Sequence, residues 1–140
     1  MKVQLFTCLA IASMSGSAHA QDFDWAVLDG QWAESTGGQY GCRSDNLGHR
    51  FVVSPDKKQL TFQLTRKWMN PAGQEIEQYT ASILSAEANS LMIKYSPDLP
   101  GMTAETLEWE LRFIGPGTYR WRLASWPADR YNAVIGVKCD

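Results

Sequence analysis

From Arg50 onward, apolar and polar side chains alternate with a period of two, and clusters of Pro, Gly, Asn and Asp interrupt the runs. This period puts successive side chains on opposite faces of a strand, so the pattern predicts half-buried strands joined by short turns, with no helical stripe. The clearest strand runs from Gln59 to Trp68, with Leu60, Phe62 and Leu64 on one face and Thr61, Gln63 and Thr65 on the other. It follows a strand over His49 to Ser54, and the turn Pro55-Asp56-Lys57-Lys58 pairs Val53 with Leu60 and Phe51 with Phe62. Asn70-Pro71-Ala72-Gly73 has turn chemistry and leads to a strand over Glu75 to Ala86; Glu87-Ala88-Asn89-Ser90 then turns into Leu91 to Ser96. The longest connection is Pro97 to Met102.

The next hairpin carries Leu107, Trp109, Leu111 and Phe113 on one arm and Tyr119, Trp121 and Leu123 on the other. All these positions are odd, so facing pairs must sum to an even number. The three-residue loop Gly115-Pro116-Gly117 meets that condition with Phe113 opposite Tyr119, and puts Glu110 opposite Arg122. A final strand covers Ala133 to Cys139, and an early one Gly30 to Glu34, which makes about eight in all. The expected fold is all-β: a single antiparallel up-and-down barrel, because closure removes exposed edges. Eight strands enclose room for packed side chains or for one small ligand.

The amino terminus departs from this pattern. Lys2, an apolar run from Val3 to Ala12, and Ala18-His19-Ala20 before Gln21 read as a secretory signal too short to span a bilayer. The expected organisation is therefore a signal peptide at 1–20 and one domain at 21–140, with a periplasmic or secreted location. Cys8 sits within the apolar run after Leu5-Phe6-Thr7, with no small residue before it, so it does not read as a lipid-modified terminus. No later run reaches membrane-spanning length. Losing Lys2 takes the formal net charge from −2 to −3. That acidic balance argues against a duplex nucleic-acid partner, whose phosphates call for basic residues.

Export also decides how the cysteines read. Cys42 and Cys139 are the pair left in an oxidising compartment, which predicts a disulfide across 97 residues of separation. Closing a loop near that length is worth about 4.7 kcal/mol in the chain-entropy model. The competing chemistry is a reactive Cys42 thiol beside His49, with Asp45 as orienter. One mature histidine and two distant cysteines do not make a zinc site, and no metal or cofactor is expected.

Six tryptophans offer material for an aromatic cavity. The candidate ligand lining is Tyr79, Ile83, Trp109, Leu111, Phe113 and Trp121, with Trp126 at the mouth in the loop Trp126 to Tyr131. The bland alternative for Trp109 and Trp121 is core packing. Glu108 and Glu110 lie about 7 Å apart on one strand face. They cannot flank a sugar as hydrolytic carboxylates do, and read instead as a solvated ladder with Arg120 and Arg122. If that charged face lined the lumen, a polar ligand would follow. Tyr119-Arg120-Trp121-Arg122 and Arg66-Lys67-Trp68 split bases and aromatics between opposite faces, so they form no single-strand nucleic-acid platform. Gly37 to Gly41 lacks the Lys-Ser/Thr of a phosphate cradle and reads as a mouth or interaction loop. His49 reads as a surface residue.

Leu28-Asp29-Gly30-Gln31-Trp32, opening a series of short antiparallel strands, resembles the start of a lipocalin-like (calycin) barrel. The resemblance implies that Trp32 closes one end of the barrel beneath a basic residue from near the last strand, with Arg130 and Lys138 as candidates. A Thr-Asp-Tyr element and a carboxy-terminal helix, also usual there, are missing. The function expected from these readings is a non-enzymatic, exported protein that binds a small apolar or amphipathic molecule inside the barrel. The rival is a protein-interaction module, an inhibitor or accessory subunit, using surface loops on a packed barrel. A pocket of several hundred Å³ favours the first and a filled core the second.

Overall fold

The computed structural model describes residues 21–36, 41–43, 48–70 and 72–139. Residues 1–20, expected to be a signal peptide and including Cys8, most of the glycine-rich loop, Asp45 and Pro71 lie outside the described residues. Eight antiparallel strands pair in chain order and close into a barrel: β1 (Gln31–Ser35), β2 (Gly48–Val53), β3 (Gln59–Met69), β4 (Glu75–Glu87), β5 (Ser90–Tyr95), β6 (Glu108–Gly115), β7 (Thr118–Leu123) and β8 (Ile135–Cys139). Closure is made by β1 against β8, from Gln31 opposite Cys139 to Ser35 opposite Ile135. No helix among the described residues is long and apolar enough to cross a membrane.

Register follows side-chain parity. Val53 faces Leu60, Phe51 faces Phe62, Phe113 faces Tyr119 and Glu110 faces Arg122. The β6–β7 turn is tighter than expected, because Gly115 itself pairs with Thr118 and the extra residue, Ile114, is accommodated as a bulge. Asn89 pins that bulge: its backbone carbonyl accepts from the Phe113 N–H at 2.8 Å, and its side-chain amide donates to the Phe113 carbonyl at 2.9 Å. A second irregularity, between Gln63 and Trp68, lets β3 and β4 run on beyond the even part of the ladder.

Leu111, Phe113, Tyr119 and Trp121 turn inward, which puts the alternate, charged positions of β6 and β7 on the outer face. Phe51, Leu60, Phe62, Leu91, Ile93, Leu111, Phe113 and Tyr119 fill the middle of the barrel. One end is plugged. A 3-10 turn at Trp25–Leu28, capped by the Asp24 carboxylate on the Ala26 N–H at 3.1 Å, crosses that end. Its last carbonyl, Leu28, accepts a hydrogen bond from Trp32 Nε1 at 3.1 Å, and Trp32 is fully buried against Phe51, Phe113 and Tyr119. Lys138 Nζ lies 5.8 Å from the Trp32 ring centroid. Gly30 makes this possible, since its φ of +97° suits glycine and a Cβ there would meet Lys138 Cε at 2.9 Å. Arg130, the other basic candidate for this end, stacks instead on Trp126, 4.2 Å from its ring centroid.

Two segments cover the outer face. Gly41 packs against Ala33 and Val137, and Cys42 is disulfide-bonded to Cys139 with a Cα–Cα distance of 5.5 Å. The bond ties the β1–β2 connection to the end of β8 and removes the free thiol that the Cys42–His49 nucleophile reading required. Residues 124–134, between β7 and β8, fold over the outward side chains of β7: Arg122 donates to the Trp126 carbonyl at 2.7 Å and Arg120 to the Asn132 carbonyl at 3.0 Å.

Candidate binding site at the open end of the barrel

The end opposite Trp32 is bordered by the β3–β4, β5–β6 and β7–β8 connections. Strand parity brings a carboxylate into its aromatic interior. Trp32 points inward, so Glu34, two residues along β1, points inward as well. Its Oε1 accepts from Tyr119 Oη at 2.7 Å and from Trp121 Nε1 at 2.6 Å. Tyr119 reaches it across β8 because the residue between them is Gly136, paired with Glu34 on one side and Tyr119 on the other. A Cβ at Gly136 would clash with the Tyr119 ring.

His49 completes the cluster. It is 5% exposed, edge-on to Phe51 and 3.1 Å from Tyr119 Oη through Nε2. The expectation of a surface histidine is thus corrected: His49 shares inward parity with Phe51 and Val53. Tyr119 has a single hydroxyl proton, given to Glu34, so its oxygen accepts from an Nε2-protonated His49. Burial pushes the His49 pKa below its ordinary value, although the Glu34 charge opposes this. Burial also raises the Tyr79, Tyr95 and Tyr119 hydroxyls, keeping all three neutral.

Two adjoining hollows open beside this cluster and share Tyr95 and Met102. One, of about 190 Å³, is bounded chiefly by Trp68, Ile76, Tyr79, Tyr95, Leu99 and Met102. The other, of about 160 Å³, is bounded by Glu34, Tyr95, Met102, Trp109, Trp121, Asn132 and Val134. Trp109 is held in place by its Nε1–H, which donates at 2.8 Å to the carbonyl of Thr106, the end of a 3-10 turn at Ala104–Thr106. Trp109 and Trp121 meet edge to face at 6.4 Å, and Tyr79 stacks on Phe62 at 4.6 Å.

The expected lining residues divide three ways. Tyr79, Trp109 and Trp121 border the hollows, and Trp126 packs behind Trp109 at 5.9 Å. Leu111 and Phe113, at 0% and 5% exposure, are packed core, because the middle of the barrel is filled rather than hollow. Ile83 sits at the plugged end beside the 54–59 turn, bordering a broad surface hollow. Alternation of apolar residues singled out the aromatics but passed over Glu34, His49 and Gly136, which share the inward face without looking like core. The usable signal was parity with Trp32 and Phe51.

The outward carboxylates are structural. Glu110, 3% exposed, is gripped by Arg112 at 2.6 Å and by Arg122, while Glu108 pairs with Lys94 at 2.9 Å. The expected solvated ladder holds at Glu108 but not at Glu110, which is buried beneath the two arginines that pair with it. Burial alone would raise the Glu110 carboxyl, but hydrogen bonds from Arg122 and Arg112 and their charges outweigh it and hold it low.

The class these observations define is a closed, up-and-down β-barrel with a plugged end, a filled middle and an aromatic mouth that contains the Glu34 carboxylate. In three comparisons the chain matched no family model, no curated protein and no solved structure.

Proposed function

We propose that this is an exported, non-enzymatic binding protein that takes one small, partly apolar molecule at the open end of the barrel. The observation that carries this reading is the convergence of Glu34, Tyr95, Trp109 and Trp121 on one hollow above a filled core. Binding sites combine an apolar lining with a few fixed polar groups, and the Glu34–Tyr119–Trp121 hydrogen bonds fix this one. A cavity of about 150 Å³ holds a benzene-sized molecule, so each hollow suits a single ring rather than a long lipid. The calycin resemblance at Gly30 and Trp32 agrees with such a role. Export is supported by the amino-terminal pattern and the Cys42–Cys139 bond. A non-enzymatic role fits a bonded Cys42 and a His49 whose polar partner is a tyrosine hydroxyl.

The filled middle of the barrel favours a second reading, an interaction module that recognises a protein through its loops. Native mass spectrometry of protein purified gently from its exported fraction separates the two. A stoichiometric adduct under about 250 Da, a few rings at most, is the expected result. A co-purifying polypeptide on an otherwise bare barrel contradicts the proposal and favours the interaction module.

A further inference from the structure

We infer that the ligand is a small organic ammonium ion, its cationic nitrogen against the Glu34 carboxylate and its apolar body between Trp109, Trp121 and Tyr95. The inference rests on the binding role proposed above and assigns its ligand class. Glu34 brings a negative charge to a hollow whose other walls are chiefly aromatic and aliphatic. Its two donors, Tyr119 and Trp121, are neutral groups that orient the carboxylate without cancelling its charge. The ion pairs formed among the described residues do not include Glu34.

Nearby cations are engaged elsewhere. Arg120 and Arg122 occupy the even, outward positions of β7, where Arg122 serves Glu110 and the Trp126 carbonyl and Arg120 the Asn132 carbonyl and the Tyr131 ring. His49 is disposed to remain neutral by its burial. A neutral ligand would strip water from the carboxylate and return no counter-charge, and an anion would be repelled. A cation gains a charge-assisted hydrogen bond at Glu34 and the negative π-faces of the surrounding rings. The hollow of about 160 Å³ has room for roughly one ring beside the carboxylate.

Three probes of matched size test this by calorimetry on the mature, disulfide-bonded protein: benzylammonium, benzyl alcohol and benzoate. Benzylammonium is expected to bind at least about tenfold tighter than benzyl alcohol, with benzoate weakest. Glu34→Gln is expected to erase that preference, bringing the benzylammonium and benzyl alcohol affinities of the variant to within about threefold of each other. Trp109→Leu is expected to weaken both probes. The comparison of probes on the unaltered protein needs no variant, so a Glu34→Gln chain that fails to fold does not remove the test. Equal binding of the amine and the alcohol overturns the charge inference and leaves the small-molecule reading standing. Preference for benzoate overturns the inference as well. If none of the three binds and the exported protein carries no adduct, both the inference and the reading beneath it fall.

Discussion

Tyr119 crosses from β7 to Glu34 over a residue that has no side chain, so the polar cluster depends on Gly136. Gly136→Ala must push the ring aside or shift β8, and is expected to cost about 1–3 kcal/mol in urea unfolding, as overpacking does. His49 gives the cluster a pH dependence. Its folded pKa lies below 6.5, so between those two values the unfolded chain holds the extra proton. Stability from this group is therefore complete above about pH 6.5 and lost as pH falls toward the folded pKa. Glu110 is also depressed from its usual 4.5, and its contribution is lost at lower pH still. Urea midpoints measured from pH 8 to 3 are expected to fall in two stages, and His49→Gln to remove the upper one. None of this was legible from residue type alone, because a histidine or glutamate on a strand ordinarily signals solvent.

Hairpins, by contrast, were legible almost to the residue. In β2–β3 and β6–β7 the apolar positions of facing arms have a fixed parity, and a slip of one would expose every one of them, so Phe51–Phe62 and Phe113–Tyr119 are the pairs that bury both faces. The bulge at Ile114 escaped because its anchor, Asn89, lies on another turn. The shielding of Glu110 escaped for the same reason: the 124–134 segment that helps cover it is a connection without periodicity. The two outward carboxylates of β6 should therefore differ in energetic weight. Arg122→Ala leaves buried Glu110 with one guanidinium and is expected to cost about 1–3 kcal/mol. Lys94→Ala removes an exposed pair and is expected to cost under about 1 kcal/mol. Equal losses in paired denaturation curves would contradict the buried cluster.

The barrel as a whole is asymmetric from end to end. Trp32, its Leu28 hydrogen bond and Lys138 close one end, while the aromatics and Glu34 leave space at the other. Trp32→Ala is expected to destabilise the fold by about 3–5 kcal/mol, and replacing both Cys42 and Cys139 with Ser by about 2–4 kcal/mol. Cys139 pairs with Gln31 at the plugged end, so a double-serine protein that still folds should retain the affinity proposed for the open end. The eight-strand count, the closure and the disulfide could be anticipated from spacing and compartment. The position of the cavity could not, since it depends on how far the central side chains fill a barrel whose volume no local pattern reports.

The most direct test is amide and indole N–H chemical-shift mapping of residues 21–140 during titration with benzylammonium. The proposed binding role predicts saturable shifts concentrated at Glu34, Tyr95, Met102 and the Trp109 and Trp121 indoles, with the Trp32 indole unmoved at the plugged end. Shifts centred on Trp32 or spread over the outer face, or no saturable shift at all, would contradict a binding site at the open mouth.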